Sequence, residues 1–549
     1  MKPIASSIRV QDLDHCGIVA GIIDQMGLVE QINQELGSHP QEIVSAGVAV
    51  KAMILNGLGL VSAPLYLFEK FFVGKATEHL LGEGIEPQHL NDDRLGRVLE
   101  QLYEAGLTPL FIKVALKAAF KFGVNSDSLH LDSSSFHVHG AYLRKDLPLS
   151  QEPAAMFLRN RFANAITHGY SRDHRPDLKQ FMVDLMCSGD GDVPLYLRVA
   201  NGNESDQAIF AELIRQFREQ WQCEALFVAD AALYGEENIQ SLTDLQWLSR
   251  VPATLKAAQQ LMEQLSEEAF NPAQLTRYHW ACVCSTYGEI KQRWLVVESE
   301  ARKEADLLQL EQKIQQHHQK ALHQLKHLEH RNFACAPDAM AAAEDWNKQL
   351  RYHRLTQIEV VPLPYYNQPG RPRKGQVPDG IHYRLQGSLT LNQEVVAKAR
   401  RRAGRFVLAT NVLESESLSE DNILCEYKKQ QCTERGFRFL KDPMFFTSSV
   451  FLKTPERVAA LAMVMGLCLL VYTLAQRALR QALARAKQTV NNQLGKPTAT
   501  PTMRWVFQCF QSIHLVILGE LEQIVNLTQE HQRILQFLGA PCQKYYLLV

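Results

Sequence analysis

The chain has 549 residues, 46% of them apolar and 21% charged, with a formal net charge of −1 and a pI near 7.0. That length suggests about two to four domains with ample material for hydrophobic cores. The near-zero charge excludes a uniform polycation, so any nucleic-acid site must come from local basic patches. The 11 cysteines are scattered with no C-x-x-C pair, which argues for free thiols in a reducing cytoplasm. The N-terminal MKPIASSIRVQDLDHCG lacks the apolar stretch of a signal peptide.

Residues 1–125 read as an all-α domain, its helices separated by Gly and Pro breaks. Residues 43–60 are apolar and glycine-rich, and 64–72 are amphipathic. Asn91 is placed to cap a helix over 92–105, with Asp92 and Asp93 in its first turn. Thr108 precedes another over 109–122, with Pro109 at its first position. Such a domain suits DNA-end binding or dimerisation, and no helix-turn-helix signature decides between them.

From residue 126 the hydrophobic period changes. SLHLDSSSFHV (128–138) begins as a strand. Residues 179–187 and 193–200 flank the turn SGDGD and read as a hairpin. Ser205 is placed to cap an amphipathic helix running to about 221. EALFVA (224–229) is a short strand followed by Asp230, and 247–251 is a further strand candidate. Strand, two-stranded hairpin, helix, strand is the order of an RNase H-like mixed sheet. In that topology Asp132 and Asp230, at the ends of the first and fourth strands, lie side by side in mid-sheet. Residues 126–252 are therefore read as the first part of an α/β catalytic domain.

Residues 253–404 interrupt it as a β-rich and helical insertion, with strands expected at 278–284, 291–298, 358–366 and 381–391. Its long polar helix, 301–331, carries Leu307, Ile314, Ala321 and Leu328 at heptad spacing. His323, His327 and His330 share a face there, near His317 and His318. That spacing suits zinc, but no Cys or acidic partner surrounds it, and a solvated or paired helix is the favoured reading. A strand over 405–412 returns the chain to the catalytic domain, whose second part is read as 405–480. Residues 458–475 carry no charge and reach the lower limit of a spanning helix. A helix buried against a sheet looks the same, and no membrane partner is expected. Residues 495–501 read as a linker in a helical tail, 481–549.

The most informative stretch is YKKQQCTERGFRFLK (427–441). On one helix, Tyr427, Gln430, Glu434, Arg438 and Lys441 recur at steps of three or four and share a face. One carboxylate among a phenol, an amide and two cations suits a metal site working on a nucleic-acid backbone; a salt-bridged solvated face is the plainer alternative. With Asp132 and Asp230 it completes three carboxylates from separate segments, a hard-oxygen set for magnesium or manganese. Any single Asp after a strand is more often a turn residue than a ligand; three in this order carry more.

Further basic patches stand beside this set. GRPRKG (370–375) offers Arg371 and Arg373 as a minor-groove hook, or simply as a basic turn. Lys398, Arg400, Arg401, Arg402 and Arg405 form a cluster suited to phosphate contact. His168, Arg172, His174 and Arg175 either approach DNA or pair with Asp173 and Asp177.

The chain resembles DDE transposases of bacterial insertion sequences, in the branch whose third acid lies in a Tyr-x2-Arg-x3-Glu-x6-Lys motif. Tyr427, Glu434 and Lys441 match that motif, whereas Gln430 stands at its Arg position. LHLDSSSFHVHG around Asp132, GYSRDHRPDLKQ (169–180), VADAALYG around Asp230 and ERGFRFLKDPMFF extend the resemblance over about residues 40–475. It implies Asp132, Asp230 and Glu434 as catalytic metal ligands for two Mg2+ or Mn2+ ions. It implies phosphate contacts from Tyr427 and Lys441, with no covalent protein–DNA intermediate; Gln430 and Arg438 on the same face are further DNA-contact candidates, Arg438 as one residue that could replace the motif's Arg. The partners implied are double-stranded DNA, as terminal inverted repeats and target, and a second copy of the chain in a synaptic dimer, in a bacterial cytoplasm at the nucleoid. A nuclease of the same fold without strand transfer, or an inactive DNA-binding relic, are the alternatives.

Overall fold

A computed structural model describes residues 8–548 except 40, 61–62, 141, 143–165, 171–174, 368–370, 372, 374, 443–451 and 453. Two compact units emerge. The first comprises Met1–Ser249, Gly288–Ile290 and Glu426–Val549; the second comprises Arg250–Tyr287 and Lys291–Cys425.

In the first unit the helix at 92–105 forms as its signals predict, whereas the next runs Leu107–Phe122 from Gly106, so Thr108 lies inside it rather than before it. Asn91 accepts the Arg94 N–H at 3.0 Å, capping the helix Asp92–Ala105, and satisfies a donor that the helix start would otherwise leave open. The segment is not purely helical, because β1 (Ile8–Asp12) pairs antiparallel with the strand His514–Leu518. The tail also departs from the helical expectation. His514–Leu518 and Leu521–Val525 form a hairpin, followed by helices Gln529–Leu538 and Ala540–Leu547. The last of these lies on the N-terminal helix Cys16–Met26. A Cβ on Gly21 would come within 2.5 Å of the Pro541 carbonyl oxygen, so only glycine permits this approach. The Tyr546 hydroxyl donates to the Asp14 carbonyl at 2.6 Å.

The sheet of this unit runs β4 (Pro194–Asn201), β3 (Lys179–Ser188), β2 (Ser128–Val138), β5 (Leu226–Ala229), β6 (Gln246–Arg250). β2–β3 and β3–β4 are antiparallel, while β2–β5 and β5–β6 are parallel. This is the expected mixed sheet with β2 and β5 adjacent at its centre. The near-continuous burial of β3 and β5 is what strands covered on both faces require.

The apolar run at 458–475 lies in the helix Pro455–Ala486, long and apolar enough to cross a membrane, yet 83% of its apolar window is buried by the protein itself. It packs against β4 and the helices Asp92–Ala105 and Leu107–Phe122.

In the second unit β12 (Arg405–Thr410) pairs antiparallel with β9 (Ile290–Ser299), which neighbours β8 (Tyr278–Tyr287) and then β7 (Asn271–Pro272). The second unit includes β12 and runs to Cys425. The hairpin β10 (His353–Tyr365) and β11 (Gly380–Leu391) packs on helices Glu300–His330 and Ala336–Gln349. Leu325, Ala343, Leu355 and Leu385 form that core, with Leu328 packed against it. Leu310 and Leu325, rather than Leu307, are the long helix's buried leucines. It lies against a hairpin, so its apolar stripe follows that surface instead of a coiled-coil seam.

Candidate active site

Backbone register builds the first half of the site. In the parallel β2–β5 pair the last paired positions are Leu131 with Ala229. The next step on each chain is Asp132 and Asp230. Equivalent positions on neighbouring strands share a face and lie about 4.8 Å apart, so register alone sets the two carboxylates beside each other. β2 does not end at Asp132, as the sequence suggested, but continues to Val138 along β3. Both acids are half-buried. The Asp132 Oδ1 accepts its neighbour's N–H, from Ser133, at 2.8 Å. The Asp230 Oδ1 accepts the Ala232 N–H at 2.9 Å, in the local turn typical of Asp after a strand. From β6 the Ser249 hydroxyl donates to the Asp230 carbonyl at 2.8 Å.

The second half is a helix laid along β2. The expected single helix is two, Glu420–Lys429 and Gln431–Leu440, joined at Gln430. There the Gln430 N–H bonds the Tyr427 carbonyl at 3.1 Å and the Thr433 N–H bonds the Gln430 carbonyl at 3.2 Å, both tight i to i+3 bonds. Gln430 does not share the exposed face; it is 8% exposed. Its amide donates to the Leu131 carbonyl at 2.8 Å, while its oxygen lies 3.3 Å from His130 Nδ1. In this chain the motif's Arg position therefore serves β2, one residue before Asp132. At the other end Lys441 Nζ lies 5.3 Å from the centre of the Phe136 ring, four residues beyond Asp132 and so on the same face of β2. From Gln430 to Lys441 a helix rises about 16 Å, and from Leu131 to Phe136 a strand covers about the same. The helix therefore tracks the strand and brings Glu434 level with Asp132 and Ser133.

Gly436 sets how close the helix comes. Its absent Cβ would lie 2.8 Å from Leu185 Cδ2, and Leu185 is the β3 residue paired with Asp132. Glu434 is exposed. It stands seven residues from Lys441, two turns away and on the same flank of the helix, the flank whose lysine reaches Phe136 of β2. On the opposite flank Arg435 grips Asp192 of the β3–β4 turn with two bonds of 2.7 Å.

Behind Asp132 lies a polar group that sequence reasoning missed. His130 is fully buried, and burial holds its pKa down to about 4, opposed by Glu426. Its Nε2 lies 3.9 Å from the Glu426 carboxylate, and neither atom has a hydrogen-bond partner among the described residues. A histidine two residues before the acid, on the same face of the strand, was the available signal.

Register thus brings Asp132 and Asp230 together, and the helix bearing Glu434 runs along β2 between its contacts with Leu131 and Phe136. Among the described residues, however, no three His, Cys, Asp or Glu side chains are close enough to hold a metal ion. The carboxylate pair is nonetheless a hard-oxygen set, and magnesium is commonly held by one or two carboxylates plus substrate phosphates rather than by an all-protein cage. The same absence covers the histidines of the long helix, where the rings of His323 and His327 meet edge to face with centres 4.6 Å apart.

The remaining basic candidates sit as follows. Tyr427 is half-buried, and Arg438 and Lys441 are exposed. Arg371 and Arg373 are exposed between β10 and β11 in the second unit. Arg400, Arg401 and Arg402 form the last turn of the helix Gln393–Arg402. There Arg401 bonds the Glu263 carbonyl at 3.4 Å and Arg402 pairs with the Glu263 carboxylate at 3.5 Å. Arg405 is buried against the Met262 and Leu265 carbonyls and Glu298, which makes it structural. Arg175 pairs with Asp177. Arg172, His174, Gly370, Pro372 and Lys374 lie outside the described residues.

A mixed sheet with two adjacent central carboxylates and an acid-bearing helix alongside is an arrangement suited to phosphoryl transfer. Residues 129–473, more than half of the chain, match the family described as Transposase DDE domain. The chain belongs to that family, a class of enzymes that cut DNA and transfer its strands. Residues 8–116 match a family described as Domain of unknown function (DUF4277). No curated protein matches the chain. Among solved structures, a piggyBac transposase synaptic complex with hairpin DNA is similar at 8% identity and a TM-score of 0.35, over 90% of this chain and 79% of that one.

Proposed function

We propose that the chain is the transposase of a bacterial insertion sequence, of the branch with the Tyr-Arg-Glu-Lys signature, cutting DNA at the element's ends and joining them to target DNA. The observation that carries the reading is the β2–β5 register, which sets Asp132 beside Asp230 inside the matched region. The helix that bears Glu434, aligned with β2, supports it. Asp132 and Asp230, with Glu434 from the helix, would hold divalent magnesium or manganese; such ions, when bound, activate the attacking oxygen and stabilise the leaving one. In the first step water attacks the phosphorus at the element end and the 3′-oxygen leaves as a hydroxyl. That hydroxyl then attacks a target phosphodiester in line, forming one P–O bond as another breaks. Tyr427, Arg438 and Lys441 hold backbone phosphates near the cut, while Gln430 positions the helix. Arg371 and Arg373, with Arg400, Arg401 and Arg402, supply further DNA contacts. Two copies act together, one for each element end, on nucleoid DNA in the cytoplasm.

The test supplies DNA carrying the inverted repeats that flank the gene, a supercoiled target, and Mg2+ or Mn2+. Cut ends and joined product are expected from the wild type, and neither from Asp230→Asn. Cut ends without joined product would indicate a nuclease alone. Undiminished cutting by Asp230→Asn would place the chemistry elsewhere.

A further inference from the structure

The flank of the Glu434 helix turned away from β2 borders a cavity of about 780 Å³, within the size range of ligand sites, roughly 300–1,000 Å³. Its walls are that helix, the helix Pro455–Ala486, the β3–β4 turn and the start of the helix Met503–Cys509. Five arginines and three aspartates line it. Each aspartate already has a guanidinium: Asp192 has Arg435, Asp190 has Arg477, and Asp442 has Arg504. Arg438 and Arg480 remain, and neither has a carboxylate partner among the described residues. The Arg480 Nε donates to the Pro501 carbonyl at 2.9 Å. Burial pushes this guanidinium's pKa down, and nearby Arg435 adds to that, against opposing contributions from Asp192 and Tyr472. Arg477, 6% exposed, leaves its Nε–H without an acceptor among the described residues. The cavity lining therefore carries two more arginines than aspartates, and one of its arginines has a buried N–H with no acceptor among the described residues.

We infer that this cavity is a phosphate-binding site, and that its occupant is the sugar–phosphate backbone of the DNA strand that crosses the Glu434 helix. Planar guanidinium forks match phosphate oxygens in geometry as well as charge. Arg438 links the two regions, because it lines the cavity and stands one turn from Glu434. A strand lying over the carboxylates thus meets Arg438 first and the cavity next. The inference rests on the DNA-cutting reading above.

The experiment measures binding of the full chain to a short duplex of arbitrary sequence, without divalent metal, across a salt series. Sequence does not matter, since phosphate contacts are sequence-independent. The Arg438→Gln/Arg480→Gln double variant is expected to bind about tenfold or more weakly at low salt. Its slope of log K against log salt should be shallower by roughly 1.8, or about 0.9 for each lost phosphate contact. Arg438→Lys/Arg480→Lys, which keeps the charge, should recover most of the slope, and unchanged thermal midpoints would show that both variants fold. An unchanged slope and affinity in the Gln variant would overturn the inference. So would stabilisation of the wild type, but not the Gln variant, by inorganic phosphate with DNA binding unaltered; the cavity would then take free phosphate. The two readings fail separately. A wild type that binds duplex with the predicted slope but never cuts it sinks only the proposed function. One that binds and cuts, with the Gln variant unchanged in slope, sinks only this inference.

Discussion

The β2–β5 pair and the helix Gln431–Leu440 deliver catalytic candidates to one place by different physics. Asp132 and Asp230 are held by main-chain register, which depends little on any one side chain. Glu434 is held by a packed helix whose distance and direction rest on a few side chains: the Gln430 amide at one end, the missing Cβ of Gly436 in the middle, and the Arg435–Asp192 pair on the far flank. The strand half of the site should therefore be insensitive to substitutions around it, and the helix half should not.

The largest effect should come from the acids themselves. Asp132→Asn and Asp230→Asn are expected to lower cleavage of end-bearing DNA by about a thousandfold or more, since several kcal/mol of charge stabilisation is removed. Glu434→Gln should match that loss while leaving the thermal midpoint unchanged, because the side chain is exposed. A destabilised Glu434→Gln would mean that this residue is structural and would erase the contrast.

Next is Gly436→Leu, which forces a side chain into Leu185. It should cost about 1–3 kcal/mol in denaturant unfolding and reduce cleavage as well, because the helix is lifted opposite Asp132. Gln430→Ala strips the Leu131 carbonyl and His130 of a buried partner. It is expected to cost about 1–3 kcal/mol, where a mere DNA-contact residue would leave stability untouched.

A pH series probes the same group. The pKa of His130 is about 4 in the folded chain against 6.5 when unfolded, because burial disfavours its charged form. Between these values the unfolded state binds the extra proton, so stability should fall as pH drops from about 6.5 towards 4. His15, also about 4, contributes to the same window. The difference between wild type and His130→Gln isolates the His130 part. The smallest effect is expected from Arg435→Ala, about 1 kcal/mol or less, since that pair is partly exposed. A larger loss would show that the far flank holds the helix more firmly than the Gln430 end.

Much of this was legible in the residues. The change from helical to alternating period at 126, the turn around Gly191, the Asn91 cap and the strand order that pairs Asp132 with Asp230 all have local signatures. Gln430 did not. Its helical phase puts it with Glu434, and only the break at that residue and the position of Leu131 turn it inward. The arginine-lined cavity was equally hidden, because its walls come from segments far apart in the chain.

By itself the sequence determined most helices and the strands of the central sheet with their order, since period, caps and turns act over a few residues, while β1 and the tail hairpin had no such local signature. Tertiary structure decided what those rules cannot reach. The tail closes on the first helix through Gly21 and Tyr546. The apolar helix at 458–475 is covered by protein. Among the described residues, Arg438 and Arg480 are left without carboxylates in a cavity whose other arginines are paired. Each of these depends on which distant surfaces meet, and burial and charge balance are set only once they do.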